Sequence, residues 1–120
     1  IMESDTMTFG SVITYILLML CMMLAGTAIG QIEVVHFNAS FNETNSCTWV
    51  KKLSDCDVSF VDILEEPDLQ AEHQIVVVPT IIVFNNKKEV KRFQANIMMV
   101  IEDNKSDVQN VIDDIIMSDF

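Results

Sequence analysis

Two cysteines and a histidine are the residues of this chain with the clearest capacity for covalent chemistry. Cys47 and Cys56 lie nine residues apart, and His36 lies eleven residues before Cys47. A thiolate is the nucleophile of thiol–disulfide exchange, and a neighbouring imidazole can act as its base. These residues therefore predict, as one alternative, a thiol–disulfide oxidoreductase or isomerase that uses Cys47, with or without Cys56 and His36.

The redox state of the two cysteines follows from the segment between them. Residues 47–54 read as a short helix, with Trp49 and Leu53 on one face. An intact helix separates the cysteines by about 13 Å along its axis, whereas a disulfide needs Cα atoms within about 7 Å. Two free thiols, a structural disulfide across a broken helix and a redox-active pair are the alternatives, and an intact helix favours the first.

The same residues offer the ligand types of a zinc site. His36, Cys47, Cys56 and His73 supply imidazole and thiolate, but they follow no recognisable ligand spacing. We therefore predict no metal site. His73 is better explained as the end of a polar helix, where the helix dipole favours a partial positive charge.

Three carboxylates lie close together in the sequence. Asp62, Glu65 and Glu66 fall at a junction between a strand and a helix. Acids at the beginning of a helix are favoured by its dipole, so this explanation is preferred to a catalytic carboxylate pair. The chain has only three glycines and no glycine-rich phosphate loop, and we predict no cofactor.

The elements that must position these residues follow from the apolar periodicity. In chain order we predict a strand at 32–38, a helix at 47–54, a strand at 57–64, a helix at 65–74, strands at 79–85 and 89–95, and a final helix capped by Ser106. The core stripe of that final helix consists of Val108, Val111, Ile112, Ile115 and Ile116. Lys91 marks residues 89–95 as an edge strand. Residues 96–103 are too apolar for a free loop, so we expect them to pack against another surface.

An apolar run precedes this domain. It extends from Val12 to Ile29 without a charged residue and is just long enough to cross a bilayer. A cleaved signal peptide is the rival interpretation, but the acidic start of the chain lacks the basic region that such a peptide needs. We expect residues 1–30 to form a transmembrane anchor and residues 31–120 to form one α/β domain.

Charge limits the partners of the chain. Its net charge of −11 disfavours nucleic acid, because phosphate backbones repel an acidic surface. All seven lysines and arginines follow the apolar run, which favours a cytoplasmic location for the C-terminal domain. Asn38, Asn42 and Asn104 begin N-x-S/T sequons, and Asn38 lies at a strand end, which is a poor glycan site.

The predicted order β-α-β-α-β-β-α, with the stretch "VVVPTIIVF" before the hairpin, resembles the thioredoxin fold. The resemblance covers residues 32–116. It implies a sandwich in which helices cover both faces of the sheet. It also implies that Pro79, in "VPT", is the cis-proline that flanks the active cysteines in that family.

The chain departs from the thioredoxin pattern where the family carries out its chemistry. The family has a C-x-x-C motif, and aligning Cys47 with its second cysteine places Thr44 at the first. A threonine hydroxyl forms no mixed disulfide, so dithiol exchange by that route is excluded. His36 stands where the family buries an acid. We therefore expect no catalytic residues.

The anchor and the missing cysteine together predict a single-pass membrane protein without dithiol activity. It would be a structural or interaction component of a larger membrane-associated assembly, such as a virion with its membrane and shell. Its partners would be the bilayer, through Val12 to Ile29, and other proteins of that assembly. A third alternative is an inactive thioredoxin-like protein that binds client chains beside Pro79.

Overall fold

A four-stranded mixed sheet forms the centre of the domain. The computed structural model describes residues 31–118. In chain order these residues form β1 (Ile32–Asn38), two 3₁₀ helices (Ser40–Asn45 and Thr48–Lys52), β2 (Asp57–Asp62), α1 (Pro67–Glu72), β3 (Thr80–Asn85), β4 (Lys88–Gln94) and α2 (Lys105–Ser118). The predicted α/β class and the predicted order of strands along the chain are confirmed, whereas the first predicted helix is wrong.

The strands are arranged in the order β2-β1-β3-β4. β1 pairs in parallel with β2 and antiparallel with β3, and β3 pairs antiparallel with β4. Asn86 and Lys87 join the last two strands with φ angles of 52° and 69°. Two successive positive φ angles are typical of a type I′ hairpin turn. β4 lies at the edge of the sheet, as its alternating sequence predicted.

The segment predicted as a helix at 47–54 forms a short 3₁₀ helix instead. The backbone N–H of Val50 donates to the carbonyl of Cys47, and that of Leu53 donates to Val50, at 3.1 Å each. Threonine, tryptophan and valine are moderate helix formers, and a short run does not recover the cost of nucleating an α-helix. Val50 and Leu53, three residues apart, are therefore the buried residues, in place of the predicted pair Trp49 and Leu53.

α2 has the predicted core stripe but a different cap. Val108, Ile112 and Ile115 are buried, and the flanking apolar residues of the stripe pack against them. The helix is capped by Asn104, and not by Ser106. The N–H of Asp107 donates to Asn104 Oδ1 at 3.1 Å, and the N–H of Asn104 donates to Asp107 Oδ2 at 2.9 Å. This reciprocal pair is a capping box, with aspartate in the place of the usual glutamate.

The two faces of the sheet carry separate apolar clusters. One face packs beneath the second 3₁₀ helix and α2, and its cluster includes Val34, Cys47, Ile81 and Ile112. The other face holds Phe37, Ile63, Ile75, Ile82 and Phe84 among others. Because successive strand residues point to opposite faces, His36 belongs to the first face and Phe37 to the second.

The connection between β4 and α2 is only partly packed. Ile101 is buried, but Ile97 and Met98 are 98% and 73% exposed. The predicted packing of this apolar stretch holds for Ile101 and Met99, whereas Ile97 and Met98 lie exposed. The predicted anchor from Val12 to Ile29 lies outside the described residues. Among residues 31–118, no helix has both the length and the hydropathy that crossing a bilayer requires.

Candidate functional site

His36 and Cys47 lie together at the end of β1. The backbone N–H of Cys47 donates a hydrogen bond to Nε2 of His36 at 3.0 Å. His36 is 2% exposed and Cys47 is 6% exposed. The ring of His36 also contacts that of Phe60 on β2, with centroids 4.9 Å apart. The imidazole therefore holds the backbone at the start of the second 3₁₀ helix, and its described hydrogen bond is not to the thiol.

The protonation state of His36 follows from this contact. Burial lowers its pKa from 6.5 to about 4. An Nε2 atom that accepts a hydrogen bond carries no proton, so the neutral ring has its proton on Nδ1. His36 therefore has no positive charge at neutral pH that would stabilise a thiolate.

Both cysteines are free thiols. Burial, and secondarily the charge of Asp103, raises the pKa of Cys47. Burial and the neighbouring Asp57 and Asp55 raise the pKa of Cys56 to about 11. Reactive cysteines have lowered pKa values, so the surroundings of both sulfurs disfavour nucleophilic chemistry. Of the three alternatives for these residues, the arrangement corresponds to two free thiols.

A network of asparagine side chains connects the end of β1 to the loops around it. Nδ2 of Asn42 lies within hydrogen-bond distance of Asn38 Oδ1 at 3.2 Å, of the carbonyl of Met99 at 3.2 Å and of that of Val78 at 3.4 Å. Oδ1 of Asn42 accepts from Asn45 at 2.8 Å. No sequence pattern predicts this network. Its only sequence signal is the Asn-rich run, in which Asn38 and Asn42 begin sequons.

Burial also decides which sequons are accessible. Asn38 and Asn42 are 7% and 5% exposed, and their amides bond within the network. Asn104 is exposed at the beginning of α2. Within the folded domain, Asn104 is therefore the sequon that an enzyme can reach.

The remaining predicted residues occupy different places. His73 follows α1 at its C-terminal end, as predicted, and its ring contacts Phe37 and Phe84 on the face of the sheet opposite to His36. Thr44 is exposed within the first 3₁₀ helix. Among residues 31–118 no three histidine, cysteine or acidic side chains gather as metal ligands.

Pro79 lies beside this network, at the start of β3. The Val78–Pro79 peptide bond is cis, as the resemblance to thioredoxins implies. The carbonyl of Val78 is one of the acceptors near Asn42. The proline loop, the first 3₁₀ helix and the connection after β4 therefore meet at one buried amide.

Solved structures of thioredoxins have a similar fold. No protein-family model matches the sequence, and no curated protein is significantly similar to it. A mutant thioredoxin from Halobacterium salinarum superimposes with a TM-score of 0.56 at 16% identity, over 71% of this chain and 74% of that one. Thioredoxin 1 from Thermosipho africanus gives 0.54 at 24% identity, over 72% and 97%. Malaria-parasite thioredoxin-2 gives 0.55 at 18% identity, over 71% and 84%.

The fold is thioredoxin-like. The predicted resemblance is thereby confirmed at the level of the fold, which is what identities of this size establish. The thioredoxin-like domain begins at β1, directly after the predicted anchor.

An apolar surface of the thioredoxin-like domain lies beside Val78, the residue before Pro79. We call Phe41, Val76, Ile97 and Met98 the apolar rim; these side chains are 68%, 79%, 98% and 73% exposed. A groove of about 320 Å³ lies among them, lined by three of the four and by Val78, the residue before Pro79. No sequence pattern indicates the rim, because an apolar residue in a loop gives no periodic signal.

The connection that carries half of this rim is ordered by hydrogen bonds. Oδ1 of Asn96 accepts from the N–H of Met98 at 2.9 Å and from that of Val100 at 3.2 Å. Met99 has a φ of 61°, an unfavourable conformation for a residue with a Cβ. Its carbonyl accepts from buried Asn42. The loop is thus held in a conformation that presents Ile97 and Met98 to solvent.

A second, acidic cavity of about 330 Å³ opens at the carboxyl ends of β1 and β2. It is lined by His36, Asn38, Ser46 and Phe60, and by three carboxylate residues, Glu43, Asp62 and Glu65. Of the carboxylates that the sequence placed at the beginning of α1, only Glu66 occupies the cap position, without a side-chain cap bond. Asp62 accepts from the N–H of Leu64 at 2.9 Å. Asp62 and Glu65 thus lie at the predicted junction between a strand and a helix, and both also border the cavity.

Proposed function

We propose that this protein is a membrane-anchored interaction module with a thioredoxin-like domain that performs no dithiol exchange. Its apolar rim binds another protein of a membrane-associated assembly, such as a virion with its membrane and shell. The anchor is the apolar run from Val12 to Ile29. The observation that carries the proposal is the rim itself, four exposed apolar side chains, three of which line a groove together with Val78, the residue before Pro79.

The energetics of the rim support a binding role. Exposed apolar side chains gain about 25 cal/mol for each Å² that a partner removes from water. Scattered apolar residues on a surface need no explanation, whereas a contiguous patch marks an interaction site. The ordering of the connection by Asn96 and Asn42 reduces the entropy that binding would cost, because the loop is already in place.

The surroundings of the thiols support the absence of dithiol exchange. Thr44 replaces the first cysteine of the motif, and the pKa values of Cys47 and Cys56 are raised. An oxidoreductase that uses Cys47 remains the alternative, and insulin reduction tests it directly. If the protein reduced insulin in the presence of dithiothreitol, and Cys47→Ser abolished this activity, the proposal would fail.

Photo-cross-linking in the native membrane tests the rim. A photoreactive amino acid placed at position 98 should cross-link to a discrete partner protein. Met117 on α2 is a matched control position, because it is also a methionine and is likewise 73% exposed. Cross-linking of the same partner at both positions, or at neither, would contradict a binding role for the rim.

The anchor and its orientation are tested separately. Alkaline carbonate extraction should leave the full chain in the membrane pellet and should release a chain without residues 1–30. Glycosylation at the exposed Asn104 reports the side of the membrane. The positive-inside tendency favours the cytoplasmic face, so we expect no glycan there. A glycan that Asn104→Gln removes would place the domain on the opposite side.

A further inference from the structure

β2 forms one edge of the sheet and has no strand on its outer side among residues 31–118. Its four central residues, 58–61, carry no charge and no proline. Proteins usually protect an exposed strand edge with charged residues, because unpaired backbone groups bind other strands. The opposite edge, β4, follows this rule with Lys88, Glu89, Lys91 and Arg92. An added strand would therefore meet no charged side chain along the central residues of β2.

The acidic cavity lies at the carboxyl end of this same edge. Phe60 and Asp62 of β2 line it, together with Glu43 and Glu65. Phe60 is 43% exposed, and Nζ of Lys51 lies 5.4 Å from its ring centroid. The aromatic ring thus already contacts one cation, and a second cation beside it would approach three carboxylates. A strand added at β2 would extend along this cavity.

The charges at the two ends of β2 disfavour a second copy of the chain as the added strand. If two β2 strands paired antiparallel about a twofold axis in a centred register, Asp57 of each copy would face Asp62 of the other. Like charges directly opposite each other destabilise a strand pair. A segment with basic residues at its ends would instead place opposite charges there.

We propose that the outer edge of β2 binds an extended segment of a partner protein, with a Lys or Arg side chain of that segment in the acidic cavity. Backbone hydrogen bonds along the strand would provide affinity, and the carboxylates would select the basic side chain. This surface is distinct from the apolar rim, since none of the four rim residues lines the cavity.

A set of four synthetic peptides tests the proposal on the full chain in detergent micelles. The probe is acetyl-Lys-Thr-Val-Thr-Val-Thr-Lys-amide. One control has glutamate at both ends, one has serine at both ends, and one has proline in place of the central threonine. The probe should protect β2 backbone amides from hydrogen exchange and shift their NMR signals. The glutamate and proline peptides should do neither, and the serine peptide should bind more weakly than the probe.

Charge variants test the cavity. Replacing Glu43 and Glu65 together by glutamine should weaken binding of the probe about two- to tenfold, the range expected for two exposed charge pairs. The matched control, Glu72→Gln with Asp114→Asn, removes two exposed charges elsewhere and should leave binding unchanged. The emission of Trp49, the only tryptophan, verifies that each variant is folded.

Each result supports or overturns the inference. Equal binding of the probe and the proline peptide would show that strand pairing is not involved. No protection at β2, or equal weakening by both pairs of charge substitutions, would overturn it. Self-association of the chain through β2, detected by sedimentation, would overturn the inference that the partner is a different protein. If the rim gave no specific cross-link, the peptide-binding results at β2 would be unaffected, because Ile97 and Met98 do not belong to the β2 surface.

Discussion

The hydrogen bond from Cys47 to His36 predicts a stability that depends on one imidazole. The folded structure needs the neutral ring, because Nε2 accepts the N–H of Cys47 at 3.0 Å. In the unfolded chain His36 regains its ordinary pKa of 6.5, whereas burial lowers it to about 4 in the folded domain. Between these two values the unfolded chain binds more protons than the folded one. Stability is therefore complete above about pH 6.5 and decreases as the pH falls towards 4.

The size of this effect follows from the two pKa values. Between pH 7.5 and pH 4.5, protonation of His36 should remove about 2–3 kcal/mol of the free energy of unfolding. This is a large fraction of the stability of a small domain, which is typically about 5–15 kcal/mol. The substitution His36→Gln isolates this contribution. A glutamine side chain places an amide oxygen near the position that Nε2 occupies in the wild-type protein, and it does not titrate in this range.

Urea unfolding followed by Trp49 emission measures the effect, since Trp49 packs against the core cluster that includes Cys47. The two proteins are compared at pH 7.5 and at pH 4.5. The carboxylates titrate in both, so the difference between the two pH slopes belongs to His36. His73→Gln is the control, because it removes the other histidine and should retain the His36 contribution. NMR of the imidazole signals gives the pKa of His36 directly.

Two results would refute this reasoning. One is an equal loss of stability in the wild-type protein and in His36→Gln between pH 7.5 and pH 4.5. The other is an imidazole of His36 that titrates near 6.5 in the folded protein. Either result would mean that the ring does not accept the hydrogen bond in a buried, neutral form.

Three further predictions concern the thiols, the asparagine network and the helix cap. At pH 7.5, iodoacetamide should alkylate Cys47 and Cys56 at least about tenfold more slowly than a free thiol, because their pKa values are raised and thiolate is scarce; fast alkylation would show an activated thiol. Asn42→Ala should lower the free energy of unfolding in urea by about 2–4 kcal/mol, because it leaves buried partners unsatisfied. The exposed Asn110→Ala should have almost no effect, and equal losses would refute the network. Asn104→Ala should cost about 1 kcal/mol as a lost cap, and an unchanged melting temperature would refute the cap.

Local pattern accounts for what could be predicted of the fold. The apolar, β-branched runs of β1 and β3 gave their positions to within a residue, and the stripe of α2 gave its buried face. Such patterns are local properties of the chain, because a strand repeats every two residues and a helix every 3.6. The first helix was wrong because a short 3₁₀ turn and a short α-helix share similar apolar spacing. The backbone hydrogen bonds that the N–H groups of Val50 and Leu53 donate to residues three positions earlier distinguish them.

The sequence by itself determined the α/β class, the order of strands along the chain, the absence of a C-x-x-C motif and the nine-residue spacing of Cys47 and Cys56. The tertiary structure decided what surrounds them. It joined Asn42 to the carbonyl of Met99, 57 residues away, and exposed Ile97 in an ordered loop. These features depend on contacts between distant segments, which no local periodicity records. The sequence determines the chemical group that a side chain carries, whereas its burial, its hydrogen-bond partner and its pKa depend on the packed fold.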